Sequence, residues 1–89
     1  MTFSISIVIC THNRASELKY CLRSIFNYST DDIKEILVVD NASTDQTKNL
    51  ITNFSKKIPN LRYIYEQKQG LPYARNCGWK NATGDIIYS

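Results

Sequence analysis

Three short polar clusters follow apolar stretches of this 89-residue sequence, and they hold most of the side chains that could do chemistry. The clusters are Thr11-His12-Asn13-Arg14, the segment from Asp40 to Asp45, and the segment from Glu66 to Gly70. Each apolar stretch has the composition of a β-strand, and open parallel sheets bind ligands at the carboxyl ends of their strands. We therefore expect the three clusters to converge on one crevice that takes a hydrogen-bonding ligand.

Two acids of the second cluster are candidates for ligand contact. Asp40, at the end of a buried strand, can accept from a base N–H or a ribose hydroxyl. Its alternative role is to bind the backbone amides of the following loop. Asp45 falls in the first turn of a predicted helix, where a carboxylate stabilises the helix dipole without any ligand. For both acids the sequence leaves the binding role and the structural role open.

Basic and aromatic groups complete the candidate set. His12 offers a flat face for stacking on a base and an N–H for a phosphate, or it is a satisfied turn residue. Arg14 and Arg75 can bind a diphosphate through paired hydrogen bonds, or they are exposed ion-pair partners of little energetic weight. A single histidine and three cysteines without C-x-x-C spacing argue against a zinc site or a disulfide framework.

Several function classes lack their sequence patterns. The first strand is followed by THNRAS rather than G-x-G-x-x-G, and there is no G-K-[ST] loop or G-x-S-x-G turn. These absences argue against NAD-dependent oxidoreductases, P-loop NTPases and most hydrolases. A receiver-like domain would need acids after the first strand, where Thr11, His12 and Asn13 stand. The 11 Lys and Arg residues are scattered and the net charge is +3, so no nucleic-acid partner is predicted.

The elements that must hold these clusters alternate between strand and helix. Asn13 is predicted to cap the first helix, and Ser43 with Gln46 is predicted to form a capping box for the second. The alternation predicts an α/β fold, a Rossmann-like half-sheet of about four parallel strands in the order 3-2-1-4, flanked by three helices. The predicted strands are 4–11, 35–40, 61–65 and 85–89, and the helices follow residues 13, 43 and 70.

The predicted first helix and fourth strand each carry a further expectation. Apolar residues at three- and four-residue steps give the helix one inward face. A fourth strand on the rim leaves an apolar edge unpaired, which proteins usually avoid. We therefore expect further chain, or pairing with another chain, to cover that edge. The predicted inward residues of the helix are Leu18, Cys21, Leu22, Ile25 and Phe26.

Three segments taken together resemble the family 2 glycosyltransferases of the GT-A fold. Residues 6–14, SIVICTHNR, are similar to the family's opening strand and its Thr-(Tyr/His)-Asn-Arg turn. Residues 36–47, ILVVDNASTDQT, resemble its Val-Asp-(Asp/Asn)-x-Ser-x-Asp-x-Thr segment. Residues 70–78, GLPYARNCG, followed by ATGDII at 82–87, resemble its Ala-Arg-Asn-x-Gly and Gly-Asp block. The resemblance covers essentially the whole chain, in the family's order and spacing.

The resemblance implies that a sugar is transferred from a UDP-, GDP- or dTDP-sugar to a polysaccharide, a lipid-linked glycan or a similar acceptor. It implies that Asp40 binds the base, that Asp45 supports its loop and the ribose, and that Gly70, Arg75 and Asn76 close the pocket near the diphosphate. The implied nucleotide-sugar-binding residues are Thr11, His12, Asn13, Arg14, Asp40, Asn41, Ser43, Asp45, Gly70, Arg75 and Asn76.

The family's Asp-x-Asp motif, which holds Mn²⁺ or Mg²⁺ against the diphosphate, is expected just beyond Ser89. Residues 1–89 would then be the N-terminal nucleotide-sugar-binding part of a glycosyltransferase domain, with no catalytic or metal-binding residue and no activity alone. The alternative is a non-catalytic nucleotide-sugar-binding or scaffold module. The absence of a charged leader predicts a cytoplasmic protein. The resemblance implies a location peripheral to the inner face of the membrane and a role in cell-envelope polysaccharide biosynthesis.

Overall fold

The computed structural model describes residues 3–27 and 32–88, so Ser89 of the predicted fourth strand lies outside the described residues. Four strands form one parallel sheet in the order β3-β2-β1-β4, with three helices between them. The predicted α/β fold and strand order are therefore confirmed. The elements are β1 Ile5–Thr11, α1 Ala15–Phe26, β2 Ile33–Asn41, α2 Thr47–Ser55, β3 Leu61–Glu66, α3 Leu71–Asn81 and β4 Ile86–Tyr88.

The sheet is covered on both faces, and β2 lies at its centre. Ile36 and Val38 pack in a core with side chains from α1 and α2. Leu37 and Val39 pack in a second core with Ala74 of α3. Because successive strand residues point to opposite faces, the middle of a strand that packs against a core on both faces is apolar at successive positions. This is why residues 36–39 form an uninterrupted apolar run.

Gly78 lets α3 lie close to the sheet. A Cβ atom at this position would stand 2.4 Å from Cγ1 of Val8 on β1, which is too close for any real contact. Ala74, one helical turn earlier, is also small and is 1% exposed. The two small residues form the stripe along which α3 rests on β1 and β2, and they hold the start of α3 against the end of β1.

Both predicted helix caps are wrong. Asn13 has a φ of 50° and lies before the N-cap of α1, which is Arg14 and makes no side-chain cap bond. Helix α2 begins at Thr47 rather than near Ser43, and Asp45 accepts its first amide at 3.0 Å from Thr47 N. Asn13 and Ser43 hydrogen-bond to each other instead, across two loops about 30 positions apart in sequence.

The inward face of α1 is narrower than predicted. Leu18 and Leu22 are buried and Ile25 packs partly against the same core. Cys21 is exposed, and Phe26 is 48% exposed. Because α1 packs against α2 and the sheet along one line only, the flanking positions of the predicted stripe point away from the core.

The edge strands differ in length. β3 pairs with six residues of β2, whereas β4 pairs only with Ile5, Ser6 and Ile7 of β1. Within the described residues, Ile86, Ile87 and Tyr88 are all exposed, with 70% of Tyr88 accessible. The predicted apolar rim is therefore present, and what covers it stays a prediction.

A buried polar cluster lies at the amino ends of the strands, and we call it the amino-end cluster. Glu35 of β2 is 3% exposed and accepts hydrogen bonds from Ser6 Oγ at 2.6 Å and from Thr83 N at 2.6 Å. It also forms an ion pair with Arg62 of β3, and the N–H of Gly84 donates to Ser6 Oγ at 2.8 Å. The cluster thus joins β1, β2 and β3 to the segment that enters β4.

The charge of Glu35 is stabilised by these contacts. Burial disfavours the ionised carboxylate, but the hydrogen bonds from Ser6, Thr83 and Arg62 together outweigh it and lower the pKa of Glu35 from 4.5 to about 2. Glu35 is therefore ionised at neutral pH in the interior of the sheet, and its role is structural.

Candidate functional site

The loops after β1 and β2 are tied together at the carboxyl ends of the strands. Asn13 N donates to Ser43 Oγ at 2.9 Å, and Thr44 N donates to Asn13 Oδ1 at 2.7 Å. Ala15 N donates to Asp45 Oδ2 at 3.2 Å. Asn tolerates the left-handed backbone that Asn13 adopts, so this residue can present both its amide and its side chain to the neighbouring loop.

Asn41 joins the third cluster to the other two. Its side chain is buried, and Nδ2 donates to the carbonyl groups of Glu66 at 3.1 Å and Lys68 at 2.8 Å. Its Oδ1 accepts from Gly70 N at 2.9 Å. Gly70 has a φ of 141°, a conformation that side chains disfavour, and it caps α3. The Asn41 side chain therefore joins the second cluster to the third, and the bonds of Asn13 with Ser43 and Thr44 join the first cluster to the second, so the three predicted clusters meet.

The backbone of Asn41 also fixes the orientation of His12. His12 Nδ1 lies 2.6 Å from the Asn41 carbonyl oxygen. A carbonyl can only accept, so Nδ1 carries a proton, and in the neutral ring Nε2 is an acceptor. The side-chain nitrogen atoms of Gln69 and Asn13 lie 3.2 Å and 3.4 Å from Nε2. The ring is held at the centre of the three loops.

The predicted single crevice is divided in two by the end of β2. Asp40 and Asn41 are consecutive strand residues, so their side chains point to opposite faces of the sheet. One pocket, of about 120 Å³, lies on the face of α3, and we call it the α3-side pocket. The other, of about 530 Å³, lies on the face of α2, and we call it the α2-side pocket. The α3-side pocket is lined by Cys10, Thr11, His12, Asn41, Leu71 and Ala74.

The α2-side pocket takes its lining from three elements. Four residues border it from the end of β2 and the following loop: Asp40, Ser43, Thr44 and Asp45. Lys48 borders it from α2, and Tyr63 and Tyr65 border it from β3. Tyr65 is 52% exposed, so much of its ring is open to a ligand. Sequence reasoning missed Lys48 and both tyrosines, although the two-residue spacing of the tyrosines indicates a shared face of β3.

Asp40 is 2% exposed, and both of its carboxylate oxygens have protein partners. Oδ1 accepts from Ser43 N at 3.1 Å, and Oδ2 accepts from the Tyr63 hydroxyl at 2.7 Å. Burial and the bond to Asp40 raise the pKa of Tyr63, which therefore remains a hydrogen-bond donor. The loop-binding alternative for Asp40 is thus realised, and its contact with a base stays a prediction.

Asp45 is likewise engaged within the protein. It accepts from the hydroxyl and the N–H of Thr47 and from Ala15 N. The Thr47 hydrogen bond is the main reason that the pKa of Asp45 is lowered. Its predicted role as a support for its loop agrees with these contacts, and no described contact tests a role towards the ribose.

The three predicted residues nearest to a diphosphate, Arg14, Arg75 and Asn76, are exposed. Arg14 lies 3.9 Å from Glu17 across the first turn of α1, with most of both side chains in solvent. Burial raises the pKa of Cys10, and the charge of Arg75 opposes part of that rise. Arg75 follows Ala74, which lines the α3-side pocket, and the Arg75 side chain is exposed.

The described residues do not fit a metal ion. Among residues 3–27 and 32–88 there is no group of three His, Cys, Asp or Glu side chains arranged to hold a metal ion. The acids closest to the site, Asp40 and Asp45, already use both oxygens for protein donors. The same part of the chain has no helix with the length and apolar character that a bilayer crossing requires.

A parallel βαβ sheet with polar loops interlocked at its carboxyl ends defines a Rossmann-like half-sheet, a class of fold whose ligands bind at that edge. The family model described as glycosyl transferase family 2 matches residues 6–89 of the chain. The chain therefore belongs to glycosyl transferase family 2, as the three sequence segments indicated.

Relatives and solved structures agree with this family. The chain is 39% identical, over 93% of its length, to a Methanococcus voltae dolichyl N-acetyl-alpha-D-glucosaminyl phosphate 3-beta-D-2,3-diacetamido-2,3-dideoxy-beta-D-glucuronosyltransferase, of which it covers 27%. It is 35% identical, over 93% of its length, to the glycosyltransferase AglE of Haloferax volcanii, of which it covers 28%. A mannosyltransferase of Pyrobaculum calidifontis, solved with GDP-Man and Mn²⁺, superposes with a TM-score of 0.77 at 28% identity, over 98% of this chain and 26% of that one. The chain thus spans about a quarter of the length of these proteins.

Proposed function

We propose that residues 1–89 form the nucleotide-sugar-binding part of a glycosyltransferase domain. The observation that carries this proposal is the joining of three loops around His12 and Asn41, beside the α3-side pocket. A binding site gains affinity when its groups are held in place before the ligand arrives, because less ordering is then required. The relatives are named as transferases, which favours this proposal over a non-catalytic module.

In this proposal the nucleotide occupies the α3-side pocket. In open parallel sheets the ligand lies where the strand order reverses, which here is between β1 and β4. The α3-side pocket is lined by the end of β1, whereas the α2-side pocket lies beyond β2 towards the opposite edge. His12 and Thr11 would contact the base and ribose, with Asn41 and Gly70 shaping the pocket wall.

The diphosphate would lie towards the start of α3. Arg75 and Asn76 are exposed there, and a guanidinium binds phosphate oxygens through paired hydrogen bonds. Arg14 approaches from α1. Asn13, Ser43 and Asp45 would keep the loops in register. The Asp40 side chain lies on the opposite face of the sheet, so a base contact by Asp40 would require it to leave both of its present partners, Ser43 and Tyr63.

The donor we propose is a UDP-, GDP- or dTDP-sugar, and the acceptor is a polysaccharide or lipid-linked glycan of the cell envelope, handled in the cytoplasm beside the membrane. The mannosyltransferase relative was solved with Mn²⁺. We propose Mn²⁺ or Mg²⁺ for the complete enzyme, where it would neutralise charge on the leaving diphosphate. Residues 1–89 contribute binding and orientation to that reaction.

The test is calorimetric titration of the 89-residue chain with UDP, GDP, dTDP and UDP-glucose, with and without Mn²⁺. We expect weak binding of a nucleoside diphosphate that Mn²⁺ changes little, and that His12→Ala weakens by about tenfold or more. Arg75→Ala should weaken UDP but leave uridine unchanged, because it removes a phosphate contact. Lys19→Ala, exposed on α1, is the matched control. Absence of nucleotide binding by a chain with a cooperative unfolding transition would overturn the proposal.

A further inference from the structure

The α2-side pocket is the larger of the two pockets and is separate from the proposed nucleotide site. Its lining residues share no member with the α3-side pocket, because Asp40 and Asn41 project to opposite faces of the sheet. At about 530 Å³ it lies within the range of small-molecule sites in proteins. A nucleotide in the α3-side pocket would therefore leave it free.

The acids of this pocket are not available to bind a cation. Asp40 accepts from Ser43 N and from the Tyr63 hydroxyl, and Asp45 accepts from Thr47 and Ala15. Asp40 is thus held by two donor groups of the protein and Asp45 by three. Their negative charges remain, however, and they oppose an anion even though Lys48 lies at the same wall. The charge pattern therefore favours a neutral ligand.

The groups that remain free have the chemistry of a sugar-binding surface. Tyr65 presents an aromatic ring that is 52% exposed, and an apolar ring face can cover the C–H face of a pyranose. Lys48 has an ammonium group that makes no ion pair with any described residue, and it can donate to sugar hydroxyl groups. Ser43 accepts from Asn13 N, so its own hydroxyl proton is free to donate.

We propose that the α2-side pocket is a saccharide subsite that holds a neutral sugar unit of the glycan acceptor, away from the nucleotide. This inference rests on the proposed function, because the sugar unit belongs to the acceptor glycan of that function. The ring of Tyr65 would form its floor, and Lys48 and Ser43 would supply hydrogen bonds to hydroxyl groups. The site is a docking point, so it takes no part in bond making or breaking.

The experiment follows the backbone amide signals of the ¹⁵N-labelled 89-residue chain by NMR during titration with cellobiose, N,N′-diacetylchitobiose and, separately, inorganic phosphate. We expect a disaccharide to move the signals of residues 43–48 and 63–65 with millimolar affinity, and phosphate to leave them unchanged. Tyr65→Ala should weaken the sugar by about tenfold, whereas Tyr65→Phe should retain binding. Tyr20→Ala, which removes another exposed tyrosine from α1, is the control.

Each outcome decides the inference. It is overturned when neither sugar moves these signals at 50 mM (about the practical limit for weak ligands), when phosphate moves them instead, or when Tyr65→Ala binds like the unmodified chain. UDP is titrated into every variant in parallel. If the unmodified chain binds UDP but neither sugar, only the saccharide subsite is refuted. If the unmodified chain binds neither UDP nor a sugar, the proposed function is refuted as well.

Discussion

At the amino ends of the strands, four hydrogen-bonding partners surround one carboxylate, Glu35, which is 3% exposed. At the carboxyl ends, polar groups are spread over three loops and many keep part of their surface in solvent, among them His12 and Tyr65. The two ends contain similar residue types. The two ends differ in how many hydrogen-bonding groups remain free for a ligand. The oxygen atoms of Glu35 are already engaged by Ser6, Thr83 and Arg62. We expect the buried Glu35 to serve stability at one end, and the partly exposed His12 and Tyr65 to serve the proposed recognition at the other.

Substitution at the amino end should have the largest effect on folding. Glu35→Ala leaves donors of Ser6, Thr83 and Arg62 without their shared acceptor. Because a buried donor left without an acceptor costs about 1–3 kcal/mol, the loss of several bonds at once should cost about 3–5 kcal/mol. We expect a fall of this size in the free energy of unfolding, measured by urea denaturation. Glu17→Ala, which removes an exposed acid whose partner Arg14 lies 3.9 Å away, should unfold like the wild type. Equal effects of the two substitutions would remove the contrast between the ends.

The amino-end cluster should also set the acid stability of the chain. The folded-state pKa of Glu35, about 2, is below its unfolded value of 4.5, so its stabilising contribution is present above about pH 4.5 and is lost as the pH falls towards 2. This shift corresponds to about 3 kcal/mol. Thermal unfolding between pH 6 and pH 2.5 should show a steep loss of stability that Glu35→Gln flattens. A parallel pH profile in the variant would contradict the assignment.

The same substitution, glycine to alanine, can be made at each end of the sheet to compare how much stability it costs there. A Cβ atom on Gly84 would lie 2.7 Å from the backbone nitrogen atom of Ser6, which cannot move without opening the sheet. On Gly70 it would meet a ring carbon of Tyr73 at 3.1 Å, and that side chain can turn away. We expect Gly84→Ala to cost about 3 kcal/mol and Gly70→Ala about 1 kcal/mol, the latter from its φ of 141°. Urea denaturation of both variants measures the order, and the reverse order would contradict this account.

The smallest effect on stability is expected for Arg14→Ala at the carboxyl end. Its side chain is 69% exposed and its contact with Glu17 is long, so the midpoint of urea unfolding should not change. Binding of UDP should weaken, since the proposed site loses a positive charge beside the diphosphate. Parallel denaturation and calorimetry on one protein sample separate the two quantities. A loss of stability without a loss of binding would show that the loop end also serves folding.

The sequence predicts those parts of the fold that depend on neighbouring residues. Residues 36–39 are apolar at every position, which requires a strand buried on both faces, and the strand–helix alternation then leads to the observed order. The caps fail for the opposite reason. Asn13 and Ser43 have side chains suited to capping, but each finds its partner about 30 positions away, once β1 and β2 pair.

The candidate site was likewise predicted in part. The position of the polar clusters at the strand ends follows from the sequence, and so does their meeting. Its division into two pockets depends on the alternation of Asp40 and Asn41, which the sequence could predict. It also depends on Tyr63 and Tyr65 of β3, whose partners on β2 are set by the strand register. The role of Glu35 depends on contacts with residues 6, 62 and 83, which no local pattern indicates.

The bond between Gly84 N and Ser6 Oγ spans 78 positions, almost the entire chain. During synthesis, β1, β2 and β3 leave the ribosome before Thr83 and Gly84. Until then Glu35 lacks the two hydrogen bonds that Thr83 donates to it in the folded chain. A carboxylate in that position favours protonation or an open, hydrated sheet over a closed one. We therefore expect the half-sheet to close only when Thr83 and Gly84 are available to complete the amino-end cluster.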